Sequence, residues 1–230
     1  MEYRVEKKYL VTDADLMLLE QRLKTVMNKD IHQMGDRYEI RSLYFDDVWE
    51  TGMNENEAGV DHRTKYRIRT YGVESEVIHM EIKEKLRGMT KKTACDLSKE
   101  ECIQIMKGDI CMRFDERKPL NQLYVQMRCN NLIPKTIILY ERSAYVHPVG
   151  NVRITFDRNI MASSCCNDFF DEEISNLVSI LPKGIHVLEV KYDELMPDYI
   201  AEQLEIGILH QTAFSKYYLG RLAIRGEFVY

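Results

Sequence analysis

The 230-residue chain has one tryptophan, five prolines and six cysteines, and it contains no CxxC pair and no HExxH run. Cys95, Cys102, Cys111, Cys129, Cys165 and Cys166 are scattered apart from one vicinal pair, which is poorly placed for a disulfide, and the six histidines are dispersed. Neither a zinc site nor a disulfide framework is expected, and reduced thiols are the default. No apolar run approaches the roughly 18 residues of a membrane span. "TIILY" and "VSILP" are far too short, and "MEYRVEKKYL" has no apolar signal core. These absences lead us to expect a cytoplasmic protein without a membrane span. Repeats, low-complexity tracts and Gly/Ser linkers are missing as well, so one domain over residues 1–230 is the simplest organisation. No nucleic-acid-binding tract is visible, and nothing in the sequence sets an oligomeric state.

The chain does have an uneven charge. Its net charge is −5, yet residues 63–92 hold nine Lys/Arg against four acids, which leaves the remainder at −10. One concentrated basic stretch in an acidic protein favours a local site for a compact anion over a broad nucleic-acid surface. Segments 2–10, 38–46, 63–72, 76–86, 91–97, 135–146, 151–159 and 184–193 read as eight strands with partial alternation. Helices are expected between them. Thr12 caps one with Leu16, Leu19, Leu23 and Val26 on its apolar stripe, and Ser98 with Glu101 makes a capping box for another. Further helices are expected over 115–129 and 169–180, from Pro197 to about Leu209, and over 213–224. The pattern is α+β: a large antiparallel sheet or eight-stranded β barrel with helices packed outside it.

In "KYRIRTYG", Lys65, Arg67 and Arg69 share one strand face. The same holds for Arg4, Glu6 and Lys8; for His79, Glu81, Lys83 and Lys85; for Arg153, Thr155 and Asp157; and for Glu189, Lys191 and Asp193. A single strand of this kind is satisfied by a half-buried sheet whose charged face meets water. Five together fit a second arrangement, with apolar faces outward under the helices and charged faces lining an interior. Such an interior is costly unless an anionic ligand, water and metal ions compensate it. Guanidinium forks and lysine ammoniums suit phosphate oxygens, and glutamates among them suit Mg²⁺ or Mn²⁺.

Together, "VEKKYLV", "SLYFDD", "KYRIRTYG", "MEIKEK", "YERSAYV", "VRITFDR", "LEVKYD" and "FSKYYLGR" resemble the catalytic domain of the vacuolar transporter chaperone (VTC) family, the polyphosphate polymerases of the triphosphate tunnel metalloenzyme superfamily. The resemblance runs from Glu6 to Arg221 and implies an eight-stranded antiparallel tunnel. It implies that Lys8, Arg67, Arg69, Lys83, Arg142, Arg153 and Lys216 coordinate phosphate, joined by Lys91 or Lys92. Glu189 matches the metal-binding carboxylate; Glu6 and Glu81 are further metal-side candidates, Lys191 a partner, and Ser215 a donor to phosphate. Asp157 and Asp193 are expected to be structural or solvated strand-end residues, Tyr44 to border the tunnel mouth, and Lys65 to guide substrate there. Related triphosphatases, adenylyl cyclases and thiamine triphosphatases (the CYTH group) carry an ExExK strand, whereas the matching positions here are Arg4, Glu6 and Lys8. Losing the first carboxylate removes a metal ligand and adds a substrate-side cation. The resemblance thus implies a Mn²⁺- or Mg²⁺-dependent transfer of the γ-phosphate of a nucleoside triphosphate, ATP first among them, to polyphosphate or pyrophosphate. A triphosphatase and a non-catalytic polyphosphate-binding module are the alternatives.

Overall fold

The computed structural model describes residues 5–31, 33, 35–87, 89–109, 115–207 and 209–227. In chain order the elements are β1 (Val5–Thr12), α1 (Asp13–Leu23), β2 (Asn28–Lys29), β3 (Tyr38–Asp46), α2 (Thr51–Glu57), β4 (Arg63–Thr70), β5 (Ile78–Leu86) and β6 (Met89–Leu97). They continue with α3 (Lys99–Met106), α4 (Lys118–Cys129), β7 (Ile133–His147), β8 (Val152–Ser163), β9 (Val178–Ser179), β10 (Ile185–Tyr192), α5 (Asp198–Gln203) and α6 (Lys216–Ile224). The eight long strands form one antiparallel sheet in the order β1-β10-β8-β7-β3-β4-β5-β6, with β2 added to β7 and β9 to β8. All eight expected strands are present, in an α+β fold.

The two faces of the sheet bury different things. On the outer face, Leu43, Ile68, Met80 and Ile82 pack under Ile105 of α3 and Leu120 and Leu123 of α4. Farther round, Val11, Ile154, Phe156, Leu188 and Val190 pack under Leu16, Leu19 and Leu23 of α1 and Ile200 of α5. Their alternating partners, the charged residues, point inward. Thr12 caps α1 in a box closed by Asp15, and Ser98 caps α3 in a box closed by Glu101. Among the described residues β1 and β6 do not pair. The gap is spanned by Lys83 of β5, whose Nζ lies 3.1 Å from both carboxylate oxygens of Glu6 on β1. The outer edge of β1 is covered by the stretch before α6, where Gln211 bridges Tyr9 and Thr212 N–H donates to the Lys8 carbonyl at 2.8 Å.

Two local expectations are corrected, and one helix was not expected. Segment 169–180 is not a helix: a short 3₁₀ turn (Cys166–Phe170) gives way to bends and β9. Arg41, buried on β3, draws the Asp171 and Glu172 carbonyls toward its guanidinium, at 2.5 and 3.1 Å, and so removes acceptors that a helix would need. The helix after Pro197 stops at Gln203 rather than near Leu209, followed by a turn containing Gly207 at φ +127°. Conversely, α2 forms from the unpromising "TGMNENE" because Asp46 accepts from Gly52 N–H at 2.9 Å and Met53 N–H at 3.1 Å, and Asp47 accepts from Thr51 N–H at 3.0 Å.

Candidate functional site

Strand register decides which charges meet. Arg67 lies opposite both Tyr44 on β3 and Glu81 on β5. Its Nε donates to Glu81 Oε2 at 2.7 Å and its Nη1 to Tyr44 Oη at 2.8 Å. Arg69 Nη2 approaches the same Glu81 oxygen at 3.2 Å, and Lys92 of β6 takes Oε1 at 2.6 Å. Burial alone would raise the Glu81 pKa, but the Arg67 and Lys92 charges outweigh it and hold it at about 2. Glu81 is thus saturated by three cations. Lys92 lies on the interior face, whereas Lys91 sits 3.8 Å from Glu84.

A second cluster forms where β1 meets β10. Glu6 faces Lys191, and Lys8 faces Glu189. Lys8 Nζ lies 3.2 Å from Glu6 and 3.9 Å from Glu189; Lys191 Nζ lies 3.1 Å from Glu189 and 3.9 Å from Glu6. Burial pushes both carboxyls up, and Glu6 feels the Glu189 charge as well. The surrounding lysines still win, leaving Glu6 lowered and Glu189 well below the ordinary carboxylate range.

The third cluster centres on Asp157, which is fully buried. Arg142 grips it with two hydrogen bonds of 2.6 and 2.8 Å, and Lys216, from the first turn of α6, lies 2.5 Å away. Arg142 also reaches within 3.6 Å of Glu189, linking this cluster to the second. Asp157 is structural as expected, but it is a buried hub rather than a strand-end residue. Its alternation with Arg153 and Thr155 was the signal for the inward face. Arg153 pairs with Asp30 at 2.8 Å and is more exposed than Arg142 and Lys216. Ser215 caps α6, accepting from Tyr218 N–H, and also meets Lys65. Arg4 lies outside the described residues.

Among the described residues nine interior cations (Lys8, Arg67, Arg69, Lys83, Lys92, Arg142, Arg153, Lys191 and Lys216) therefore share five carboxylates, Glu6, Asp30, Glu81, Asp157 and Glu189, while Lys65 donates to neutral oxygens. Arg69 Nε and Thr155 Oγ1 are buried without a hydrogen-bond partner. A cation-rich interior with such orphaned polar atoms is built for a polyanion. Among the described residues no three acidic, histidine or cysteine side chains gather as a complete metal cage. The adjacent Glu6 and Glu189 carboxylates nevertheless fit the usual Mg²⁺ arrangement, in which one or two carboxylates bind and phosphate oxygens complete the shell. Glu81, like Glu6 and Glu189, contacts three cations, and its two oxygens are taken at 2.6 and 2.7 Å by Lys92 and Arg67.

Comparison with known proteins agrees with this geometry. No curated protein sequence matches the chain. Among solved structures, the Hippeastrum protein HpAC1, an adenylyl cyclase candidate described as having a dominant triphosphatase activity, superposes with a TM-score of 0.59 at 13% identity over 100% of this chain and 98% of its own. A candidate adenylate cyclase of Bacillus halodurans superposes with a TM-score of 0.54 at 16% identity over 93% of this chain and 94% of its own. What they share with this chain is the fold, a curled antiparallel sheet with helices packed around it. Residues 3–224 match the VTC domain, nearly the whole chain, so the protein belongs to the VTC domain family.

Proposed function

We propose that this protein is a polyphosphate polymerase-type phosphotransferase that moves the γ-phosphoryl group of a nucleoside triphosphate, ATP first among them, onto a polyphosphate chain lying in the cationic interior. One observation carries this reading over hydrolysis. The interior carboxylates Glu6, Glu81, Asp157 and Glu189 all have lowered pKa values and all contact lysine or arginine. A general base for water works best with a pKa near the operating pH. Lowered from the ordinary carboxylate value, these groups are poorer bases than a free carboxylate, whereas a terminal phosphate oxygen is already ionised and needs only alignment and charge neutralisation.

In this reading Arg67, Arg69, Lys83 and Lys92 orient one part of the phosphate chain. Lys8, Arg142, Lys191 and Lys216 stabilise the charge that spreads over the transferring group, and Arg153, partly exposed, adds positive charge beside them. Mn²⁺ or Mg²⁺ held by Glu189 and Glu6 would add charge neutralisation on the phosphate oxygens. Incubation with ATP and Mn²⁺ should give long phosphate chains on a gel, with ADP formed in step. Steady orthophosphate release without chains would assign a triphosphatase instead, the activity ascribed to the Hippeastrum protein. A Glu189→Ala variant that still bound polyphosphate, in a protein that never turned over ATP, would leave only a binding module.

A further inference from the structure

Away from α6, the charged interior ends in aromatic rings. Arg69 is the last inward cation of β4, and its Nε is buried without a hydrogen-bond partner. The next residue in the same alternation is Tyr71. His79 stands directly opposite Arg69 on β5, and Tyr38 stands opposite Arg142 where β3 meets β7. The Tyr38 and Tyr71 ring centres are 6.0 Å apart with planes tilted by 45°, and His79 meets Tyr71 edge-on at 6.1 Å. Both tyrosines are half-buried and pack against the inner cluster that holds Ile40 and Tyr140. Burial raises both phenol pKa values, and the Arg142 charge pulls each the other way, so both rings lie beside the interior cations. Among the described residues neither hydroxyl has a hydrogen-bond partner. His79 is held by Asp96, whose carboxylate lies 2.7 Å from Nδ1. Charge is already matched at this end: Asp30 holds Arg153 at 2.8 Å, and Asp96 is itself exposed. A further phosphate gains little here, whereas a flat uncharged group gains contact with the rings.

We propose that Tyr38, Tyr71 and His79 form a stacking rim that takes the nucleobase of a nucleoside triphosphate while its phosphates lie on the interior cations. The rim rests on the reading of the interior as a nucleoside triphosphate site. Tyr71 lies two residues beyond Arg69, roughly 7 Å at the usual strand rise. A ribose fills that gap when the α-phosphate sits on Arg69. The rings are supported from behind by the inner cluster, so little ordering is needed when a base arrives. Stacking uses the flat face that every base presents, so the rim accepts GTP and other nucleoside triphosphates as well as ATP.

Titration calorimetry without metal, with ATP and with tripolyphosphate, separates the base from the phosphates, because tripolyphosphate carries the same run of phosphates and no base. Tyr71→Leu keeps an apolar side chain but removes the ring. It should weaken ATP binding roughly tenfold and leave tripolyphosphate affinity unchanged. The riboside triphosphate of 2-aminopurine, whose fluorescence is quenched by stacking, should dim on binding to the original protein. That measurement decides the matter should the leucine variant fail to fold. Equal losses for ATP and tripolyphosphate, no loss for either, or a bound 2-aminopurine nucleotide of undiminished fluorescence would overturn the rim. The two proposals fail separately. A protein that stacks the base yet makes no chains keeps the rim and loses the polymerase, and chain synthesis with ATP affinity indifferent to Tyr71 does the reverse.

Discussion

Glu81 holds Arg67, Arg69 and Lys92 on two oxygens while almost completely shielded from water. Its folded-state pKa of about 2 lies below the ordinary 4.5. A depressed carboxyl stabilises the fold fully above its unfolded value, and that contribution is lost as pH falls from there through about 2. At about 1.36 kcal/mol per pKa unit the amount is on the order of 3 kcal/mol. Chemical denaturation between pH 2.5 and 7 should show this acid limb, and Glu81→Gln should flatten it. At pH 7 that variant should be less stable by about 3–5 kcal/mol, since it leaves the three cations without their counter-charge. Unchanged acid denaturation in the variant would show that other carboxylates carry the limb. The alternation of "MEIKEK" placed Glu81 among cations, but a metal-side role and an ion-pair role looked the same in sequence. Register adds the contact that sequence could not show, bringing Lys92 from β6 onto its second oxygen.

At the scale of elements, α6 determines how one end of the interior is finished. Ser215 and Lys216 in its first turn meet Lys65 and Asp157, Tyr217 stacks on Tyr44 with ring centres 5.4 Å apart, and the Tyr217 hydroxyl donates to Asp46 at 2.6 Å. The helix approaches this closely because residue 220 is glycine: a Cβ there would stand 2.5 Å from Ile138 Cδ1 and 3.2 Å from Ala162 Cβ. Gly220→Val should therefore cost about 1–3 kcal/mol through overpacking. It should also weaken tripolyphosphate binding, because the displaced helix carries Ser215 and Lys216. A melting temperature and affinity equal to those of the original protein would show that the core absorbs the added volume. The sequence "FSKYYLGR" marks a helix with a phosphate-facing start, but the need for glycine inside it depends on a neighbouring strand and is not legible there.

The whole molecule carries a net charge of −5 around an interior in which, among the described residues, nine cations share five carboxylates and Lys65 meets only neutral oxygens. Burial and mutual repulsion lower the Lys65 and Lys83 pKa values to about 7 and 8, which opposes folding of the anion-free protein at neutral pH. An anion that binds only the folded form relieves that repulsion. Tripolyphosphate at about a hundred times its dissociation constant should add ~2.7 kcal/mol, which is roughly 5–10 °C in melting temperature for a chain of this size. The shift should shrink as sodium chloride rises. Thermal denaturation with and without tripolyphosphate checks this, and an absent or salt-independent shift would deny the interior its role as an anion site.

The eight strands, their antiparallel class and the division between apolar and charged faces were legible in the sequence. A strand's side-chain period of two is local, and every long strand here obeys it over several residues. The capped starts of α1 and α3 were legible for the same reason, since a capping box spans four neighbouring residues. Which opposite charges touch was settled only by the tertiary structure. Asp157 as a buried hub, Glu81 as a three-cation clamp and Lys65 with neutral partners all depend on residues far apart in the chain. Tertiary contacts also overrode local propensity where Arg41 takes carbonyls from segment 169–180 and where Asp46 and Asp47 begin α2. Periodicity fixes the direction in which a side chain points, while register and curling of the sheet fix what it meets.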